Sequence, residues 1–309
     1  MIRYLARRAA ASLAGLLGAA LLTFSVLRMV PGDPIDGLLG EQATAAQRQD
    51  MRRFLGLDRP LHHQIGVYLG DIANGTLGRS YRHRDTTVAS RLAAVFPYTL
   101  ELAFAAMLVG LAIALPLGIL AALRAGTAVD AAATGAALAG VAVDKLWLGP
   151  LLIFLFYVRL GWLPGPGDDP GAAGALVLPA ITMGAALAAM LSRMTRASLL
   201  EVIHEDYVVC ARAKGLPEVT VIGKHALRNA LIPVLHVAGL QFGALLGGAM
   251  ITEKIFARPG VGTLLLDAVS ERDYPVVQGC VLGIAACYLL VNLATDLATA
   301  AVDPRIRLR

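Results

Sequence analysis

The chain has 309 residues, 57% of them hydrophobic and 16% charged, with a mean hydropathy of +0.66. Soluble domains carry about 25% charged residues, so this composition excludes a soluble globular protein and points to an integral membrane protein. A net charge of +5 and a pI near 9.3 would suit nucleic acid, but the basic residues flank apolar runs and no nucleic-acid signature is present, so no nucleic-acid partner is expected.

Six runs are long enough to cross a bilayer, which takes about 20 apolar residues. The first, 9–30, follows Arg3, Arg7 and Arg8 and carries one charge, Arg28, near its end. It is too long for the apolar core of a signal peptide and lacks a small-x-small cleavage site, so it reads as an uncleaved anchor. Residues 31–96 mix basic and acidic side chains and hold PGDP (31–34), LGLDRPLHHQ (55–64) and GDIANGTLGRSY (70–81). They have too little apolar sequence to span again and predict a small helical cap. The second run, 97–123, contains only Glu101; the third, 131–158, contains Asp144 and Lys145; the fourth, 172–191, has no charge. The fifth, 230–252, holds His236 and the sixth, 276–302, holds Asp296. Taken together, 1–8, 124–130, 192–229 and 303–309 hold 13 Lys and Arg, against 4 in 159–171 and 253–274. The positive-inside rule then places both termini and 192–229 in the cytoplasm, and 31–96 outside.

Between the fourth and fifth runs lies a charged, helix-forming stretch, DYVVCARAKGLPEVTVIGKHALRNALIP (206–233). It is no nucleotide site: a P-loop needs G-x-x-x-x-G-K-[ST], and Glu218 stands where the first glycine belongs and His225 where the hydroxyl belongs. It is not catalytic either, because His204, Glu205 and Asp206 are consecutive and neighbours on a helix do not face one another. No HExxH or GxSxG occurs. The three cysteines, Cys210, Cys280 and Cys287, form no CxxC, so no disulfide framework or zinc site is implied. A docking surface remains, with a solvated inner loop as the plainer alternative. Residues 201–213 favour a helix, Gly215 can supply a left-handed stop, and Pro217 suits the first position of a new helix. Ala211, Ala213 and Gly215, spaced by two, would let another backbone approach, while Arg212 and Lys214 would meet an acidic rim.

ARAKGL (211–216), with DYV before it and HALRNALIP (225–233) after it, resembles the "EAA" loop of binding-protein-dependent ABC importer permeases, in the dipeptide/oligopeptide/nickel branch. Further matches follow in order: PGDP, LGLDRP (55–60), TLELA (99–103), LGWLP (160–164), SRMTRASLLEV (192–202), EKIFARPGVG (253–262), RDYPVVQG (272–279) and DPRIR (303–307). The resemblance implies an all-α integral membrane protein with the six-helix, type I ABC importer permease fold, in the plasma (inner) membrane. It implies a second, related permease subunit, two ATPase subunits that hold ATP and magnesium, and an extracytoplasmic solute-binding protein that delivers a peptide or related small solute. This chain would bind no cofactor or metal itself and would be no enzyme. The loop 201–216 becomes the coupling helix, with Asp206, Tyr207, Ala211, Arg212, Ala213, Lys214, Gly215 and Leu216 meeting an ATPase. The strict pattern has Glu six positions before the glycine, where this chain has Val209.

Within the membrane, Gly239, Gly243 and Gly247 form a GxxxGxxxG face, for packing inside the subunit or against the second permease. Asp144 and Lys145 depart from the uncharged stretch that the family usually has there. A charge at mid-bilayer costs from about 2.5 kcal/mol upward and faces a cavity or a partner. Adjacent residues point about 100° apart on a helix, so the two cannot satisfy each other. Matching depths on antiparallel spans predict a Lys145–Glu101 pair, with Asp144 facing the pathway. Asn292 and Asp296, four apart on the last run, are expected to bond a neighbouring helix. The rival from another class, a self-sufficient secondary transporter or channel, predicts an internal repeat; the halves 1–160 and 161–309 show none, and it leaves 206–233 unexplained.

Overall fold

A computed structural model describes residues 2–40 and 43–302; the DPRIR motif and the C-terminal segment 303–309, assigned above to the cytoplasm, lie outside the described residues. The described chain is helical: α1 (Ile2–Met29), α2 (Pro34–Leu39), α3 (Ala45–Phe54), α4 (Leu61–Ala73), α5 (Val88–Leu123), α6 (Ala128–Ala142), α7 (Lys145–Leu152), α8 (Val177–Val202), α9 (Asp206–Ala213), α10 (Glu218–Thr220), α11 (Leu227–Ile255), α12 (Val261–Ser270) and α13 (Tyr274–Val302). Wider π-helical turns extend α7 over Ile153–Arg159 and join α10 to α11 over Val221–Ala226. Two compact units can be distinguished, Met1–Thr99 with Pro259–Leu289, and Leu100–Arg258 with Leu290–Arg309.

In the first unit the short motifs build turns. Gly32 sits at φ +118, and a Cβ there would fall on the Arg272 guanidinium. Asp33 accepts from the Ile35 N–H at 3.0 Å and Pro34 opens α2, where a missing N–H costs nothing. Asp33 also pairs with Arg52 of α3. LGLDRP stops α3: the Leu57 N–H closes on the Arg52 carbonyl at 3.0 Å and the Gly56 N–H on that of Arg53 at 3.1 Å, a Schellman turn. In RDYP, the buried Asp273 accepts from the Ser80 hydroxyl and from the Tyr81 N–H at 3.1 Å. The apolar core of this unit gathers Ala20 and Phe24 of α1, Tyr68 of α4 and Leu282 of α13.

In the second unit α8 packs against both α6 and α11. Leu102, Ala106, Met183 and Ala249 form one buried cluster, and Ala114, Leu187, Leu191, Val234 and Ala238 belong to another. Helices α5 and α8 touch backbone to backbone: a Cβ on Gly184 would lie 2.8 Å from the Ala106 carbonyl oxygen, and one on Gly118 would lie 2.6 Å from that of Ser192.

Five helices are long and apolar enough to cross a membrane, Arg7–Met29, Val88–Leu123, Val177–Val202, Glu218–Ile255 and Tyr274–Leu297. The third run, expected as one straight helix over 131–158, is instead a pair, Ala128–Gly140 and Lys145–Arg159, bent by 93°. Val143 is extended, and the Asp144 carboxylate accepts from the Leu146 N–H at 2.8 Å, so the charge expected to sit inside a helix caps a new one. Pro150 inside α7 supplies no N–H to the preceding turn, and the helix widens downstream of it.

Candidate functional site

The stretch expected as one helix over 201–213 is broken. Helix α8 ends at Val202, the chain turns through Ile203 and His204 to an extended Glu205, and α9 begins at Asp206. Gly215 takes the left-handed conformation, φ +73, as its position after the helix requires. Pro217 stands one position earlier relative to the next helix than expected, as the extended residue before Glu218. A bidentate ion pair clasps the two arms: the Arg212 guanidinium donates to the Glu218 carboxylate, with the shortest contact 2.7 Å. That carboxylate, the largest influence on it, holds Arg212 above its ordinary pKa. The Asn229 amide donates to the Tyr207 hydroxyl at 2.7 Å, tying α9 to α11.

Helix α9 has an inner and an outer side. Val208 and Ala211, one turn apart, are buried in a cluster with Ala122, Leu199, Val221, Ala226 and Ala230. Ala211, expected to receive a partner's backbone, therefore faces the protein's own core: residues three apart share a helix face, and Val208 commits that face inward. Asp206, Tyr207, Arg212, Ala213, Lys214, Gly215 and Leu216 are exposed. So are two apolar residues that sequence reasoning passed over, Val209, 52% exposed, and Val219, 85% exposed. The missed signal is a pair of β-branched apolar side chains in an otherwise charged stretch; Val209 is the position noted above only as a departure from Glu.

A second constellation lies in the same unit, around the α6–α7 break. A cavity of about 360 Å³ is lined by Asp144, Lys145, Thr182, Met183, Gln241 and Gly248, among others. The Lys145 ammonium crosses to α11 and donates to the Gly248 carbonyl at 3.2 Å. It does not meet Glu101. That carboxylate is taken by Arg258 at 2.7 Å, and the Arg258 guanidinium is buried and also donates to the Pro170 carbonyl at 3.3 Å. Because α7 starts afresh at a 93° bend, rise along a straight span does not measure the depth of Lys145. Arg258 was legible only as part of the EKIFARPGVG landmark, though it is a lone arginine just past the fifth apolar run. Of the three glycines, Gly239 packs within the chain, since a Cβ there would strike the Thr295 side chain of α13; Gly243 is buried, and a Cβ on Gly247 would meet nothing within 4 Å.

A hook with exposed apolar tips and a mostly apolar cavity that carries Asp144 and Lys145 thus lie in one unit with a broken membrane helix. Residues 114–308 match the family model for the binding-protein-dependent transport system inner membrane component, and residues 1–103 match the model for the N-terminal part of such components. The chain belongs to this family. This permease is 42% identical over 334 residues to the di/tripeptide transport system permease protein DppB of Pseudomonas aeruginosa (strain UCBPP-PA14), with 99% of each chain covered. It is 41% identical over 307 residues to the glutathione transport system permease protein GsiC of Escherichia coli (strain K12), again with 99% of each covered. Its fold is like that of the MetNI methionine ABC transporter in an inward-facing conformation, with a TM-score of 0.57, 19% identity, and 69% of this chain and 96% of that one covered. The permease is thus a multi-pass inner-membrane subunit of an ABC importer, with the type I permease fold.

Proposed function

We propose that this permease imports short peptides or a closely related small solute, as one half of a pathway completed by a second, related permease. An extracytoplasmic binding protein delivers the solute, and two ATPase subunits carrying ATP and magnesium drive transport by docking on the hook. Both termini and 192–229 are cytoplasmic and 31–96 is extracytoplasmic, within a single transmembrane domain whose crossings fall at 9–30, 97–123, 131–158, 172–191, 230–252 and 276–302. The names of the relatives support the solute class, and the excess of Lys and Arg at 1–8 and 192–229 supports the orientation.

The observation that carries the docking reading is Val219, 85% exposed on the second arm of a hook whose first arm is anchored by the buried Val208 and Ala211. Apolar side chains held out on a rigid support are what a cleft in a partner can grip, and a stiff support transmits a push between rigid bodies. Asp144 and Lys145, in the lining of the 360 Å³ cavity, give the pathway a carboxylate and an ammonium, which suit the two termini of a peptide. The experiment is co-expression with the neighbouring permease and ATPase genes and purification through the ATPase. Val219→Glu and Lys214→Glu are expected to lose the ATPase while staying in the membrane. Capture equal to the parent in both would remove the hook as the docking surface.

A further inference from the structure

A cavity larger than the one beside Lys145 lies elsewhere in the chain. It lies in the first unit, apart from the hook and the α6–α7 break, and has a volume of about 520 Å³. That volume falls in the range of about 300–1,000 Å³ typical of small-molecule sites.

Its walls are strongly one-sided in charge. Arg28, Arg53, Arg59, Arg79 and Arg84 line it, and Asp71 is the one carboxylate among the lining residues. Burial pushes the Asp71 carboxyl above its usual pKa. Two further groups point to a ligand. The Tyr68 hydroxyl and the Gln278 side-chain nitrogen are both buried, at 8% and 5% residue exposure, line the cavity, and have no hydrogen-bond partner among the described residues. A buried donor left unsatisfied costs about 1–3 kcal/mol, so two in one cavity mark a place for acceptor oxygens. Guanidinium groups match the oxygens of a phosphate in geometry as well as charge.

The location narrows the source of that phosphate. Phe24 and Arg28 stand in the last turns of α1, and Pro275 and Gln278 in the first turns of α13, both helices apolar enough to span a bilayer. The cavity therefore lies at the level where hydrocarbon gives way to headgroups. Leu17 and Leu21, 44% and 42% exposed, share the helix face of Phe24 and Arg28, since positions 17, 21, 24 and 28 follow the three-and-four spacing of one stripe. That stripe is a track for an acyl chain leading away from the arginines.

We propose that this cavity holds the phosphodiester headgroup of an anionic phospholipid, with the arginines and the Gln278 amide on the headgroup and an acyl chain along Leu21 and Leu17. The site would make the permease sensitive to the charge of the lipid around it, independently of which solute it imports.

The test is native mass spectrometry and thermal unfolding of the full chain, purified and stripped of lipid, with phosphatidylglycerol, phosphatidylcholine, inorganic phosphate and a dipeptide added separately. Phosphatidylglycerol is expected to bind about tenfold or more tightly than phosphatidylcholine, the worth of one charge-assisted contact, and to raise Tm. Arg53→Gln and the volume-conserving Gln278→Leu should each lose most of that rise while the lipid-free Tm stays at the parent value. Equal binding of the two lipids, or variants that keep the full rise, would overturn the proposal. So would inorganic phosphate or the dipeptide raising Tm as far as the lipid does, because the cavity would then take a free anion or a solute. If the lipid-free Tm of one variant falls, the other variant and the comparison of lipids on the parent chain still decide.

Discussion

The hook at 206–219 and the corner at 143–146 are both charged interruptions in an apolar chain, and they handle charge in opposite ways. In the hook, opposite charges meet each other in water, Arg212 on Glu218, and the apolar Val209 and Val219 are left outside. At the corner the two neighbouring charges part company: Asp144 turns to the backbone of its own next turn, and Lys145 crosses to a carbonyl on α11. Where water is present a charge can afford a loose partner. Where it is scarce, backbone groups freed by a break need satisfying first, and the nearest carboxylate does it. A charge in a membrane run is thus read too narrowly when only an ion pair is sought.

The largest expected effect separates the two faces of the hook. Ala211→Glu places a carboxylate among Leu199, Val208 and Val221, where an uncompensated buried charge costs about 3–5 kcal/mol. It should lower Tm and the amount of folded permease. Val219→Glu should leave both unchanged and remove only the ATPase. If the two variants unfold alike, the division of the hook into a buried side at Ala211 and an outer side at Val219 is wrong. Lys145→Met comes next. It removes a bond to a charged group, worth about 1.5 kcal/mol or more, but it also removes the cost of holding an ammonium away from water. Uptake by proteoliposomes carrying the assembled importer should therefore fall by roughly tenfold with little change in Tm, and unimpaired uptake would take Lys145 out of the pathway. Asp144→Ala should cost about 0.5–2 kcal/mol as a lost helix cap, and Asp144→Asn, which can still accept from Leu146, should restore most of it. Equal losses in Tm would mean that the charge, not the cap, is what matters there.

Much of the fold was legible because it rests on local chemistry. PGDP, LGLDRP and the left-handed Gly215 do in the structure what short-range rules say such residues do: they cap, stop and turn helices. The helices themselves follow from long apolar runs. What could not be read was anything set by contacts distant in sequence. Glu101 finds Arg258, 157 residues away, and Lys145 finds Gly248, 103 away; neither choice leaves a periodic trace. The glycine stripe on α11 drew notice because its spacing is regular. Two close backbone approaches between α5 and α8 use Gly118 and Gly184, which belong to different helices and share no pattern. Burial of Ala211 was missed for a related reason: ARAKGL shows which residues are small, but not which side of α9 the rest of the chain covers.

The smallest expected effect completes the comparison of hook and corner. Arg212 and Glu218 meet in a bidentate pair on an exposed surface, and exposed pairs add little to stability because water screens them and two long side chains must be held still. Arg212→Gln, Glu218→Gln and the double variant should therefore melt with the parent. Their effect should appear in coupling. The pair ties the end of α9 to α10 across Gly215 and Pro217, so without it the hook loses stiffness and passes on less of an ATPase movement. ATP hydrolysis by the assembled importer should continue while solute uptake per ATP falls, to a similar degree in either single variant and no further in the double. Additive losses would show that each side chain touches the ATPase separately, which would make the ion pair incidental and shift the stiffness of the hook onto its buried face.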